Sequence, residues 1–152
     1  MSSTAPATAT GQAAAVSDPA ARARFLAAVR FDDRGLVPVI AQAHGTGEVL
    51  MMAWANAAAL EETLATGRVV YFSRSRNALW RKGETSGQVQ YLVDLRLDCD
   101  GDTVLALVEQ TGVACHTGRR SCFFQALRDG ELTAITAPEA DPEALYGHKH
   151  GH

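Results

Sequence analysis

The stretch from Gln88 to Asp98 alternates apolar and polar side chains more clearly than any other part of the chain. Val89, Tyr91, Val93, Leu95 and Leu97 fall on one side, and Gln88, Gln90, Asp94, Arg96 and Asp98 on the other. Leu92 is the one apolar residue out of step. A period of two describes a β-strand with one face against a core; helical apolar positions recur every three or four residues instead. Such a strand needs neighbours. Thr103 to Val108 is the next apolar run, which puts Asp98 to Asp102 at a hairpin-like junction between two antiparallel strands.

The rest of the chain extends this pattern. Asp18 followed by Pro19 reads as a helix cap and first helical position, with Ala21, Phe25 and Val29 on one face and Leu26 beside them. Leu36 to Ala43 reads as a strand, and Pro38 within it predicts an edge. Gly45-Thr46-Gly47 turns into a second strand, Glu48 to Ala53. Asn56 caps a short helix, with Leu60 and Leu64 on one face, that ends at Gly67. Arg68 to Ser75 resumes as a strand, and Leu79 to Gly87, lacking any period, reads as a loop. Phe123 to Leu127 and Leu132 to Ile135 flank Asp129-Gly130, a hairpin turn. The expected fold is α+β: a single β-dominated domain of mainly antiparallel strands with one or two short helices. The domain is expected over residues 18–137, after a disordered Ala/Ser/Thr-rich extension (1–17) and before a flexible tail (138–152) in which His148, His150 and His152 alternate with small or basic residues.

Composition narrows the function. A chain of 152 residues with 47% hydrophobic and 20% charged residues is ordinary for one globular domain. A net charge of −3 argues against nucleic acid or an acidic membrane as partner. No apolar run reaches the ~20 residues that span a bilayer. Three cysteines and no secretory signal argue against a disulfide framework and for a reducing cytoplasm.

Those cysteines, Cys99, Cys115 and Cys122, point to chemistry. Thiolates suit a soft metal such as zinc, and the carboxylates of Asp98, Asp100 and Asp102 suit a hard one such as magnesium. In an extended backbone the three aspartates would share one face and Cys99 would take the other. The spacing matches no common zinc finger. Three readings stay open from the residues alone: a catalytic zinc with water in its fourth position, a structural site completed by His116, or ordinary buried thiols beside a solvated acidic turn. A calcium loop is excluded, because Thr103 stands where that loop requires glycine. Three thiolates and Zn2+ sum to one negative charge, so such a zinc is a weaker Lewis acid than a three-histidine site and benefits from a nearby base. His116 is the candidate for that base.

A second cluster suits an anion. Ser73, Arg74, Lys82, Thr85, Ser86 and the amides of Gly83 and Gly87 are the groups a phosphate wants, and Trp80 can stack on a ring. Neither G-x-x-x-x-G-K-[ST] nor G-x-G-x-x-G is present. The alternative is a solvated basic loop.

In order, Phe72-Ser73-Arg74-Ser75, Leu79-Trp80-x-Lys82-Gly83-Glu84-x-Ser86-Gly87, Asp98-Cys99-Asp100-x-Asp102 and Cys115-His116-x-Gly118-x-x-Ser121-Cys122-Phe123 closely resemble the phosphoribosyl-AMP cyclohydrolases of histidine biosynthesis. Gly35-Leu36-x-Pro38-Val39 and Gly47-Glu48-Val49-Leu50-Met51 fit as well, so the resemblance spans about Phe31 to Phe124. It implies hydrolytic opening of the adenine ring of phosphoribosyl-AMP at N1–C6 by zinc-activated water, with His116 as general base. It implies zinc on Cys99, Cys115 and Cys122, and magnesium on Asp98, Asp100 and Asp102. It further implies an intertwined homodimer in which Cys99 of the partner subunit completes each zinc site. Ser73, Arg74, Trp80, Lys82, Gly83, Glu84, Thr85 and Ser86 are then the expected substrate contacts. Two rivals remain on the residues: a nucleobase deaminase, whose H-x-E and P-C-x-x-C motifs are absent, and a zinc-stabilised nucleotide-binding module without catalysis.

Overall fold

The structure, a computed structural model, describes residues 15–141. Most of the expected N-terminal extension and the histidine-bearing tail lie outside the described residues. Val16 is already docked, its amide donating to Leu64 O at 2.8 Å.

Both helices begin and end where local chemistry requires. Asp18 Oδ1 accepts from Ala20 N at 3.0 Å and opens α1 (Pro19–Ala28). Asn56 Oδ1 accepts from Ala59 N at 2.8 Å and opens α2 (Ala57–Thr66). Gly67 closes α2 at φ 77°, a left-handed conformation that glycine adopts without a Cβ clash. The buried face of α2, Ala59, Leu60, Thr63 and Leu64, covers the sheet. Thr63 Oγ1 donates to Ala59 O and accepts from Val70 N at 2.9 Å, tying the helix to the next strand.

Among the described residues eight strands follow: β1 (Val37–Ala43), β2 (Val49–Ala55), β3 (Val70–Ser73), β4 (Ala78–Arg81), β5 (Gln90–Leu97), β6 (Val104–Gln110), β7 (Gln125–Arg128) and β8 (Glu131–Ala134). The main sheet runs β4-β3-β2-β1-β6-β5, and β7-β8 form a separate hairpin. All pairs are antiparallel except β1 with β6. The expected α+β class with mainly antiparallel strands therefore holds. Asp129 and Gly130 take φ 52° and 79° in the β7–β8 turn that the Asp-Gly signal predicts.

Three local expectations are corrected. Pro38 does not mark an edge, since β1 is central. Pro38 is tolerated because the ladder to β6 starts only at Val39, one residue beyond it. The segment expected as a loop over 79–87 begins as strand β4, paired Phe72↔Leu79 and Val70↔Arg81; four residues are too few to show a period. The alternation of β5 is broken by a β-bulge between Leu92 and Asp94. It lets Leu92 pair with Val108 and Leu95 with Ala106, so the residue that looked out of step joins the core. Gln90, assigned to the polar face, is fully buried.

The sheet curls until its ends meet. Residues 67–69, just before β3, bond to the opposite edge strand: Val69 N donates to Gln90 O at 3.0 Å and Leu92 N to Gly67 O at 2.8 Å. At this seam the end of β4, the start of β5 and the end of β6 come together. The functional segment after β6 sits there.

Candidate functional site

The loop that leaves β6 is held by amides. Gln88 Oε1 accepts from Val113 N at 2.7 Å. Gln110 Nε2 donates to Gln88 O, to Thr111 O and to Gln90's side of the seam at Val89 O. Gln90 Nε2 donates to Gln110 Oε1 at 2.8 Å, and Gln90 Oε1 accepts from the Tyr71 hydroxyl at 2.7 Å. Tyr71 and Gln90 are both 0% exposed, so this network rigidifies the seam rather than greeting solvent.

The next residues fold into a knuckle. Gly118 N donates to Cys115 O at 2.9 Å, closing a four-residue turn that carries His116 and Thr117 at its centre. Cys115 N and Ala114 N then bond to Arg119 O and Arg120 O, as in a short hairpin. Its returning limb is pinned to the sheet: Cys122 N donates to Leu50 O at 2.7 Å, Ser121 Oγ to Val49 O at 2.8 Å and Arg120 Nε to Glu48 Oε1 at 2.7 Å. Residues 139 and 140 close over the knuckle, donating to Gly118 O at 2.7 and 3.1 Å.

This fold brings the thiols of Cys115 and Cys122 into contact. Cys115 is buried; burial and the adjacent Cys115 thiol push the Cys122 thiol up to about 12, against the pull of Lys82. Thr117 Oγ1 lies 3.1 Å from Cys115 Sγ. Lys82, 6% exposed, donates from Nζ to Ala114 O at 2.9 Å and lies 5.8 Å from the Trp80 ring centre. Burial pulls the lysine below its ordinary pKa, and Cys122 and Cys115 oppose that pull. His116 is exposed on the turn beside the pair and makes no hydrogen bond within the described residues. Two adjacent thiols, of which Cys122 resists ionisation, are a poor apolar core and a fitting donor pair for a soft divalent metal.

Cys99 does not join them. It is exposed in the turn between β5 and β6, whereas Cys115 and Cys122 follow the other end of β6. A strand of this length spans about 20 Å. Among the described residues no three His, Cys, Asp or Glu side chains converge to hold a metal within one chain. The Asp98–Asp102 segment is also not extended, which corrects the expected separation of carboxylates and thiol by the pleat. Gly101 N donates to Asp98 O at 3.0 Å and Asp98 Oδ1 accepts from Asp102 N at 3.0 Å, a tight turn with Gly101 at φ 76°. Asp98, Asp100 and Asp102 are all exposed around it. Desolvation raises the Asp98 carboxyl, yet the hydrogen bonds from Asp102, Thr103 and Gly101 hold it below its ordinary value.

The expected phosphate contacts divide between the two ends of the β3–β4 hairpin. Ser73 and Arg74 are at its tip, where Ser73 Oγ lies 3.4 Å from Ser75 Oγ and Arg74 stacks 4.9 Å from the Trp54 ring centre. Lys82, Gly83, Glu84, Thr85 and Ser86 follow its base. Lys82 turns inward to the thiols instead of outward to solvent. With Arg68, Arg81 and Glu84 it also lines an open cleft of about 260 Å3. Gly83, at φ 86°, packs where a Cβ would meet the Val89 backbone at 2.5 Å. Trp80 packs on Tyr71 with ring centres 5.3 Å apart, as a core contact.

Residues 51–124 match the model of the family described as phosphoribosyl-AMP cyclohydrolase. A protein of that name from Granulibacter bethesdensis is 69% identical over 120 residues, covering 78% of this chain and 94% of the relative. Another from Rhodospirillum rubrum is 68% identical over 126 residues, covering 82% and 88%, and one from Magnetococcus marinus is 60% identical over 122 residues, covering 80% and 95%. The chain belongs to the phosphoribosyl-AMP cyclohydrolase family. The span matched by the cyclohydrolase model contains the seam, the hairpin tip, the acidic turn and the knuckle with both thiols. Sequence reasoning missed the supports of this candidate site: Gln88, Gln90, Gln110, Tyr71 and Trp54. A signal was present. The polar positions of β5 that face solvent carry charges, Asp94 and Arg96, while the one that turns inward, Gln90, carries a neutral amide.

Proposed function

We propose that this chain hydrolyses 1-(5-phosphoribosyl)-AMP between N1 and C6 of its adenine, opening the ring to the formimino-aminoimidazole-carboxamide ribonucleotide, the third step of histidine biosynthesis. The observation that carries the reading is the meeting of Cys115 and Cys122 beside the exposed His116, in a member of this family. Alkylation at N1 makes the ring cationic or easily protonated, so C6 is electrophilic. Water adds there, and the N1–C6 bond breaks in preference to the bond to the exocyclic amine. No ammonia leaves.

Cys115 and Cys122 of one subunit with Cys99 of the partner subunit are the residues to hold zinc, and the length of β6 supports a second copy as the source of the third thiol. Zinc held there would supply Lewis acidity for hydration of C6. His116 takes the proton from the attacking water and returns it toward N1. Asp98, Asp100 and Asp102 are the candidates for magnesium. Ser73 and Arg74 at the hairpin tip suit one substrate phosphate, and the amides and hydroxyls of Gly83, Thr85 and Ser86 suit the other, with Glu84 to orient the ribose between them. Trp80 acts by packing the seam. The chain works as a homodimer.

The test is incubation of the purified protein, loaded with both metals, with phosphoribosyl-AMP. Ring opening without ammonia is expected. Ammonia release would assign a deaminase, and absence of turnover would leave a nucleotide-binding module.

A further inference from the structure

Lys82 is the buried charge that this chemistry leaves unused. Lysine is almost never buried without a partner, and Lys82 is only 6% exposed. None of the ion pairs among the described residues includes it. Its hydrogen bond goes to a neutral acceptor, Ala114 O at 2.9 Å, immediately before Cys115 in the chain. That acceptor satisfies one of its three N–H donors. The groups near it that would carry the opposite charge, once a metal displaces their protons, are the sulfurs of Cys122 and Cys115. The backbone makes the placement deliberate: Lys82 N donates to Val69 O at 3.2 Å, which fixes the residue at the seam where the sheet closes.

We propose that Lys82 is the built-in counter-charge of the metal centre, a positioning residue that anchors the Cys115 loop through the Ala114 carbonyl while its ammonium offsets the surplus negative charge of a tris-thiolate zinc. The inference rests on the zinc reading above and deepens it. Three thiolates over-neutralise a divalent cation by one charge. An ammonium fixed beside two of them returns the centre to neutrality. It would thereby restore part of the Lewis acidity that thiolate donation removes. A surface lysine would do neither, because water and salt screen it.

The test is zinc affinity by chelator competition on the dimeric protein, compared among the parent and the variants Lys82→Gln, Lys82→Met and Lys82→Arg. Circular dichroism and thermal midpoint of the metal-free forms report folding. Gln and Arg both keep a donor for Ala114 O, so they decide the question even where Met fails to fold. Loss of the charge should weaken zinc binding about 10- to 100-fold in Lys82→Gln, the size of effect seen for groups that support a ligand, with Lys82→Arg recovering most of it. A folded Lys82→Gln that binds zinc as tightly as the parent overturns the inference and leaves the zinc reading standing. Equal losses in Gln and Arg also overturn it, because charge then plays no part. A parent chain that binds no zinc brings down the zinc reading itself.

Discussion

Gly112 and Gln88 should behave as one unit in stability measurements. Gly112 sits at φ 71°, and a Cβ there would collide with Gln88 Oε1, the atom that accepts from Val113 N at 2.7 Å. In Gly112→Ala the overlap is relieved by swinging the flexible Gln88 amide away, so the collision itself is not the cost. Left-handed backbone costs an alanine ~1–2 kcal/mol. Val113, a residue 4% exposed, loses the partner of its amide, which adds ~1–3 kcal/mol. Stiffening of the unfolded chain returns ~0.4–1 kcal/mol. The net loss is ~1–5 kcal/mol. Gln88→Ala alone removes the same hydrogen bond. In that background Gly112→Ala should cost only the backbone term, so the double-mutant cycle should show a coupling of ~1–3 kcal/mol. Urea unfolding of metal-free, reduced protein at one fixed concentration measures all four corners. Additivity within ~0.5 kcal/mol would refute the claim that Gln88 holds this loop across Gly112.

Other outcomes follow from the same geometry. His116→Ala should keep its zinc while turnover falls ~10²–10⁴-fold, and loss of zinc on dialysis would show that His116 is a ligand instead. Cys99→Ser and Cys115→Ser should each be inactive alone. Mixed after unfolding and refolding together, they should regain activity, since one of the two sites in each mixed dimer is then intact; no recovery would place all three thiols on one subunit. Gly83→Ala should destabilise by more than ~2 kcal/mol, because its clash at φ 86° is with the Val89 backbone and not with a movable side-chain end; an unchanged urea midpoint would contradict this. Hydrogen bonds from Leu36 N and Arg34 N hold the Asp32 carboxyl below its ordinary value. A carboxylate depressed on folding stabilises above its unfolded pKa and loses that stability as pH falls through the folded one. Asp32→Asn should therefore flatten the decline in thermal midpoint below about pH 4, and an unaltered acid limb would count against it.

How much was legible in the chain depends on the range of the interaction. Asp18, Asn56, Gly67 and Asp129-Gly130 each act through bonds a few residues away, and each set its element as expected. Pro38 and Leu92 misled because their meaning depends on what lies across the sheet: where the β6 ladder begins, and where the β5 bulge falls. Cys115, His116 and Cys122 stand out by residue type alone. Lys82 reads as a phosphate group's partner until the curl of the sheet turns it inward. Gln88 and Gln90 look solvated in an alternating strand, and only closure of the seam makes them the frame of the knuckle. The acidic turn was placed correctly between two strands, but its tight backbone, set by Gly101, is what undid the expected pleat.

The bond from Cys122 N to Leu50 O joins residues 72 positions apart to seat one thiol of the pair. The two cysteines are near neighbours in sequence, yet they are held together only after β2, β1 and β6 have found one another. Non-local contacts of this kind form late, because loop-closure entropy must be met first. On the ribosome, the chain therefore emerges with three reduced sulfurs and no preformed pocket to shelter them. On the zinc reading proposed above, metal uptake would be the closing step of maturation. An oxidising or zinc-starved cell would then catch the chain at that step, with its sheet complete, Cys115 already buried, and Cys99 and Cys122 still open to other chemistry.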